Sequence, residues 1–355
     1  HKQGMLMKHG RPIVACLLGL CLIAANTTAF ASDGDGSDVA ASSRSPALEV
    51  PSKVVSLAVP SRPFRSFSPA ELGEMIEVTD DGQRLPRIAP SGWMPWIAYA
   101  RRFDQAGAVV RVGVLIINLG ANEALTRRAI EELPAEVSLA FLPGAPDLAR
   151  WLGEARERGH EVYLMLPAED PSGPGERGLR PIQAAADAVE NLRRLRAVMA
   201  RGEGYVGFVA APAGTIWQSE AAVRPLLKEM ADRGLALIEI DTTPPAATMV
   251  QRLTEELGIG YARTNLVLDY KLSDGGLAAN LDRLDTWGSR TQPEQPPRHR
   301  FAVVQPGDEA IDAIVAWTRR RPEQPVASLV PIIGHFECRE ACMTRLRVQP
   351  AQLRP

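Results

Sequence analysis

The chain carries none of the common nucleotide or nucleophile motifs. It has no P-loop, no G-x-S-x-G elbow, and no glycine run placed after a strand with dinucleotide spacing; Gly202-Glu-Gly204 comes nearest but precedes a strand. Those absences set aside NTP and NAD-type cofactor sites and the serine-hydrolase arrangement. Potential metal ligands are also sparse. Of 5 His and 4 Cys, only His160, His299, His335, Cys338 and Cys342 lie beyond the first 31 residues. A formal net charge of -2, with no basic stripe interleaved with aromatics, gives no reason to expect nucleic acid or an anionic membrane surface as partner.

What is present has the balance of a soluble globular protein, 45% hydrophobic and 23% charged. A chain of 355 residues can hold one large α/β domain with extensions or two ordinary domains. Residues 1–31 read as a targeting segment: Lys8 and Arg11 supply positive charge, Ile13 to Ala25 form an apolar run, and Ala29-Phe30-Ala31 is a small-x-small cleavage site before Ser32. The run is short of the roughly 20 residues of a membrane span, which favours a cleaved signal peptide over an uncleaved anchor. A natural start at Met5 or Met7 is expected, and neither Cys16 nor Cys21 follows a lipoprotein pattern. Periplasmic or secreted location follows as the expectation, with membrane anchoring as the alternative.

Residues 32–90 are expected to be a low-complexity linker, Ser-, Asp-, Gly- and Pro-rich to about Pro63, with one short helix within Pro69–Ile76. The aromatic stretch from Trp93 to Phe103 reads as an arm packed on the main domain, a partner-docking role being the alternative. From Val110 the pattern becomes strand then helix, repeated. Val110 to Ile117 is β-branched and apolar on both faces apart from Arg111, as in a buried parallel strand ending at Asn118-Leu-Gly120. A helix with Leu148, Trp151, Leu152 and Ala155 on one face is expected to be capped by Asp147 and ended by Gly159. Seven or eight such units over 91–334 imply parallel strands with crossover helices, either an incomplete barrel or an open doubly wound sheet. The tail, 335–355, shows no clear fold; Cys338 and Cys342 could pair in an oxidising compartment, constraining little if one helical turn apart.

In a barrel, functional groups lie at the C-terminal ends of strands. Those ends present Asn118, then Glu169 and Asp170, Ala211 to Thr215, Glu239 and Asp241, Asp269, and Gln305. The set holds carboxylates but neither His nor Cys. His160 falls between a helix and a strand and reads as structural, while His299 and His335 fall in a Pro-rich loop and in the tail.

In the order and spacing of its segments the chain resembles the divergent polysaccharide deacetylase family, a branch of the carbohydrate esterases that remove acetyl groups from chitin, xylan or peptidoglycan. The resemblance runs from Trp93 to Ile333. It rests on Met94-Pro-Trp96, Tyr99-Ala-Arg101, Leu119-Gly120, Val137-Ser-Leu-Ala-Phe141, Gly159-His-Glu-Val162, Leu166-Pro-Ala-Glu169, Gly204-Tyr-Val-Gly207 and Leu329-Val-Pro331. It implies a deformed (β/α)7-type barrel of parallel strands with outer helices, and a link to cell-wall or other carbohydrate metabolism. It also implies two adjacent Asp after the first strand, one a general base and one a metal ligand; Ile117 and Asn118 stand there instead. Pro212 occupies the position of a metal-binding His in an Asn-His-Met-Gly motif, Glu239 that of a third-motif Asp, and Gln305 that of a His near the last helix. Without a base or a metal to acidify water, hydrolysis loses its usual drivers. The expectation is a pseudoenzyme without cofactor that binds polysaccharide, peptidoglycan or a cell-wall protein through Asn118, Glu169, Thr215, Glu239 and Gln305. The alternative is an active deacetylase that uses Glu169, Glu239 or Asp241 as base or ligand of zinc or another divalent metal.

Overall fold

The computed structural model describes residues 68–104, 107–168, 179–211, 215–241, 248–270, 275–290, 298–338 and 340–347. The targeting segment, most of the linker, Glu169, Asp170 and Pro212 lie outside them. The chain enters through a short helix α1 (Pro69–Glu74), held by a capping box in which Ser68 and Glu71 exchange bonds. A hairpin follows, β1 (Ile76–Val78) with β2 (Arg84–Pro86), and then a single helical turn α2 (Pro95–Ala98). The hairpin corrects the reading of 32–90 as linker throughout; three-residue strands are too short to show a period of two in sequence.

The body is a ring of parallel strands: β3 (Val110–Leu119), β4 (Ser138–Phe141), β5 (Val162–Met165), β6 (Gly207–Ala210), β7 (Ala236–Ile240) and β8 (Tyr261–Thr264) pair in chain order. β9 (Arg298–Val304) returns to pair with β3 along its length, and the short β10 (Ser328–Leu329) pairs with the start of β3 below β4. Between β8 and β9 the ring is nearly closed: Val267 bridges Val303, with Leu268 N–H donating to the Val303 carbonyl at 2.9 Å. The crossovers are α3 (Glu123–Glu132), α4 (Leu148–Glu157), α5 (Ala188–Met199), α6 (Glu220–Asp232), α7 (Met249–Leu257), α8 (Gly276–Arg290) and α9 (Asp308–Arg320). This is the expected α/β barrel, with an open seam between β8 and β9.

Alternation along the strands separates two apolar layers. Ile116, Phe141, Leu164, Phe208 and Leu237 face the helices, while Leu115, Ala140, Tyr163, Val209, Ile238 and Phe301 fill the lumen. Four of the outer helices are capped by the preceding side chain, Asn122, Asp187, Ser219 and Thr248 each accepting an N–H of the following first turn. Asp147 does not. It precedes α4 in the left-handed region (φ 55°), makes no capping bond, and pairs instead with Arg150 at 3.5 Å.

The N-terminal end of the barrel is plugged from inside and covered from outside. A 3₁₀ turn, Ile332–His335, enters the lumen, where Ile332 N–H donates to Ser138 Oγ at 3.1 Å and Ile333 N–H to Glu161 at 3.0 Å. Glu161 is wholly buried and also accepts from Tyr163 Oη at 2.5 Å and from Arg101 N–H at 2.9 Å. Arg111, the exception in an apolar strand, donates to the carbonyls of Ala108 and Gly334 beneath the Phe103 ring. The aromatic arm closes over this floor: Trp93 and Trp96 are buried, and the Trp96 ring lies 5.9 Å from that of Phe336. Its aromatic faces are spent on internal packing.

The described part of the tail, as far as Arg347, is also ordered into the fold. Glu337 pairs antiparallel with Tyr261 at the edge of β8, Cys338 and Cys342 form a disulfide, and α10 (Glu340–Arg347) packs on α7. Gly258 ends α7 at φ 73°, and a Cβ there would come within 2.9 Å of the Ala341 backbone, so both the turn and the approach of α10 require glycine.

Candidate functional site

The mouth of the barrel is organised by an irregularity in β3. Ile116 pairs with Leu139 and Leu119 with Phe141, so β3 carries one more residue than β4 across this interval. The extra residue is Asn118, in the left-handed conformation at φ 60°, which Asn tolerates better than other side chains. The bulge keeps Ile117 in the lumen and Leu119 on the helix side while it turns Asn118 to the rim. Gly120, at φ 104°, completes the turn where a Cβ would lie 2.4 Å from that of Ala145, and its N–H is taken by Thr126 Oγ1 at 2.9 Å.

At the rim Asn118 Nδ2 donates to Gln305 Oε1 at 2.9 Å, and the Gln305 backbone N–H donates to Asp269 Oδ2 at 3.3 Å. Three strand ends (β3, the segment after β8, and β9) are thereby tied through two neutral amides and one carboxylate. Asp269 Oδ1 is buried without a hydrogen-bond partner. The group available here is a set of amide donors and acceptors beside one unused carboxylate oxygen.

The other carboxylates singled out in the sequence go elsewhere. Glu239 has the alternation of Leu237, which faces the helices. It is buried, accepting from Tyr261 Oη and from Thr248 Oγ1 (2.8 Å), the residue that caps α7. Burial raises its pKa above the usual carboxylate range against the lowering by those two hydroxyls. Asp241 pairs with Arg263 at 2.5 Å on the same side. Thr215 is exposed at the start of a 3₁₀ turn, Thr215–Gln218, whose Ile216 is buried. Asn118 and Gln305 therefore meet, and Glu239, Asp241 and Thr215 do not join them; Glu169 lies outside the described residues. Asp269 is the addition. Its signal was its place after the weakest strand, and its link to Gln305 depends on how β9 closes the ring.

Of the histidines, His160 is buried with Nδ1 2.8 Å from the Val137 carbonyl and Nε2 3.1 Å from that of Ile130. His299 lies in β9 rather than in a loop, and its ring is 5.5 Å from that of buried His335. A hydrolytic zinc site needs about three converging protein ligands and an open position. Among the described residues no three His, Cys, Asp or Glu side chains converge in that way. Two amides and one carboxylate do not fit such a centre.

Among the described residues no helix is long and apolar enough to cross a membrane. No curated protein matches the chain at a significant level. In structure it is similar to an uncharacterized protein from Agrobacterium tumefaciens C58, at 25% identity over 71% of this chain and 98% of that one, with a TM-score of 0.62. A protein from Enterococcus faecalis V583, proposed to cleave cellobiose phosphate, aligns at 12% identity over 59% of this chain and 91% of that one; its TM-score of 0.39 is too low to carry an argument. The profile described as divergent polysaccharide deacetylase matches residues 114–332, from the lumen strand β3 to the plug. The match spans most of the chain and coincides with the ring of strands, so the chain belongs to the divergent polysaccharide deacetylase family.

Proposed function

We propose that this is an exported, deacetylase-like carbohydrate protein that has given up metal-dependent hydrolysis and holds a glycan, or a cell-wall partner, at the mouth of its barrel. The observation that carries the reading is the hydrogen bond between Asn118 and Gln305. It sets neutral amides where a base and metal ligands would be needed, and amides donate to and accept from sugar hydroxyls without drawing in a metal. Export rests on the N-terminal Lys/Arg, apolar and Ala-x-Ala order, and on a disulfide in the described part of the chain.

One observation favours the alternative of an active hydrolase with a rearranged site. Asp269 Oδ1 is buried, unpartnered and adjacent to Gln305, and such an oxygen is able to act as base or ligand. The two readings separate on the purified mature protein, assayed for bound zinc and for acetate release from acetylated xylan, chitooligosaccharide and peptidoglycan. The expected result is glycan retention without acetate release, with retention lost in the double variant Asn118→Ala, Gln305→Ala. Stoichiometric zinc together with acetate release that disappears in Asp269→Asn would overturn it.

A further inference from the structure

On the outer, helix-facing side of the barrel a groove of about 370 Å³ lies between α8, β9 and the segment that follows β8, in the size range of a small-molecule site. Each element contributes one face. Leu266 and Leu268 alternate on the segment that bridges β9 at Val303, Arg300 and Ala302 alternate on β9, and Asn280, Arg283 and Leu284 share one face of α8. Leu268, Leu284 and Ala302 belong to the layer beneath the helices, whereas the alternate residues Phe301 and Val303 point into the lumen. The floor of the groove is apolar and continuous.

Its margin is polar. Asn280 Nδ2 donates to the Leu268 carbonyl at 2.7 Å and its Oδ1 accepts from Arg283 at 2.6 Å, which fixes α8 against the segment. Arg300 lies over the Trp287 ring at 5.1 Å, and its guanidinium forms no hydrogen bond or ion pair among the described residues. The stack orients the fork while its N–H groups stay available. Tyr270 lines the end towards the mouth; at 43% it is the one exposed aromatic among the described residues. It directly follows Asp269, whose carboxylate takes the Gln305 N–H at the rim. From Arg300 to Gln305 the chain advances about 16 Å at roughly 3.3 Å per residue, so the groove leads from the mouth down the flank. An occupant of both is extended and repeating, with apolar ring faces for the leucines and Tyr270 and hydroxyls for Arg300.

We propose that this groove is a second contact for the glycan held at the mouth, taking a run of neutral sugar rings that passes over Tyr270 and along β9 to Arg300. The assignment rests on the reading of the mouth as a glycan site. Tyr270 stacks on one ring face, and Arg300 donates to ring hydroxyls. The ligand class is then a polysaccharide chain; a mono- or disaccharide fills the mouth alone.

The test is calorimetric titration of the full chain with chitobiose and chitohexaose, and with xylobiose and xylohexaose. In the series that binds, the hexamer is expected to bind at least about tenfold tighter than the dimer, because its second contact is tethered to the first. Tyr270→Ala and Arg300→Gln should each weaken the hexamer about fivefold, the weight of one ring contact or one hydrogen bond, and leave the dimer unchanged. Tyr270→Phe should bind as the parent does. The double variant Asn118→Ala, Gln305→Ala should weaken both lengths. Tyr270 and Arg300 are exposed, so their variants should fold, which a thermal melt checks. Binding of neither series would overturn the reading of the mouth and the groove with it. Equal affinity for dimer and hexamer would overturn the groove alone, as would hexamer binding that Tyr270→Ala and Arg300→Gln both leave unaltered.

Discussion

Replacing Glu161 by Gln probes the energetics of the plugged barrel floor. The carboxyl has no solvent contact, and burial lifts its pKa from the usual 4.5 to about 7, against the lowering effect of Tyr163, the Arg101 and Ile333 N–H groups and Ser138. Between those two pH values the folded chain keeps a proton that the unfolded chain releases. The contribution of Glu161 is therefore intact below pH 4.5 and is lost as pH rises through 7. At 1.36 kcal/mol per pH unit the loss comes to about 3 kcal/mol. Gln keeps the volume and one acceptor oxygen but does not ionise. Urea unfolding of parent and variant at pH 4.5 and at about pH 8 should show the stability difference moving about 3 kcal/mol in favour of the variant at the higher pH. The difference is the readout because the buried histidines work in the opposite sense. His160, His299 and His335 are all held below the usual range by burial, so the unfolded chain takes up protons that the folded one refuses as pH falls through 6.5. A parent–variant difference constant to within about 0.5 kcal/mol across this range would refute the reasoning. It would mean that the donors around Glu161 offset its desolvation in full.

Two further outcomes follow from the same floor. Trp96→Ala empties a site that is 2% exposed beneath Phe336, and the expected loss is about 3–5 kcal/mol in urea unfolding; a loss below about 1 kcal/mol would make the arm a loosely attached appendage. Removing the disulfide with Cys338→Ser and Cys342→Ser opens a very short loop, with a sequence separation of 4, for which loop-closure entropy predicts about 2 kcal/mol. Because both sulfurs are buried, thiol trapping of the parent under mild reductant should be slow and should accelerate in urea; rapid trapping without urea would show that the tail detaches from β8.

The barrel was legible because its signals are local and repeated. The spacing of Leu148, Trp151, Leu152 and Ala155 marks one buried helix face, and all four are buried. Asn118 and Gln305 were legible as strand-end groups for the same reason. Illegible were features that depend on a single residue or a distant partner. One extra residue in β3 reverses which side chain faces the lumen, and no periodicity announces it. Glu239 reads as a mouth residue from its place near a strand end, yet alternation within the short β7 turns it to α7. The tail looked unstructured because Glu337 has no strand of its own and borrows the edge of β8.

From its sequence alone the protein is settled as a β/α repeat with neutral residues at Ile117 and Asn118, since strand and helix periods and residue identity need no long-range information. Only the tertiary structure decides which polar groups share a cavity. Asn118 and Gln305 stand 187 residues apart, and the closing of β9 onto β3 brings them together with Asp269. The same closure sets neighbouring residues of β9 to opposite uses, with His299 against His335 inside the barrel and Arg300 over Trp287 outside it.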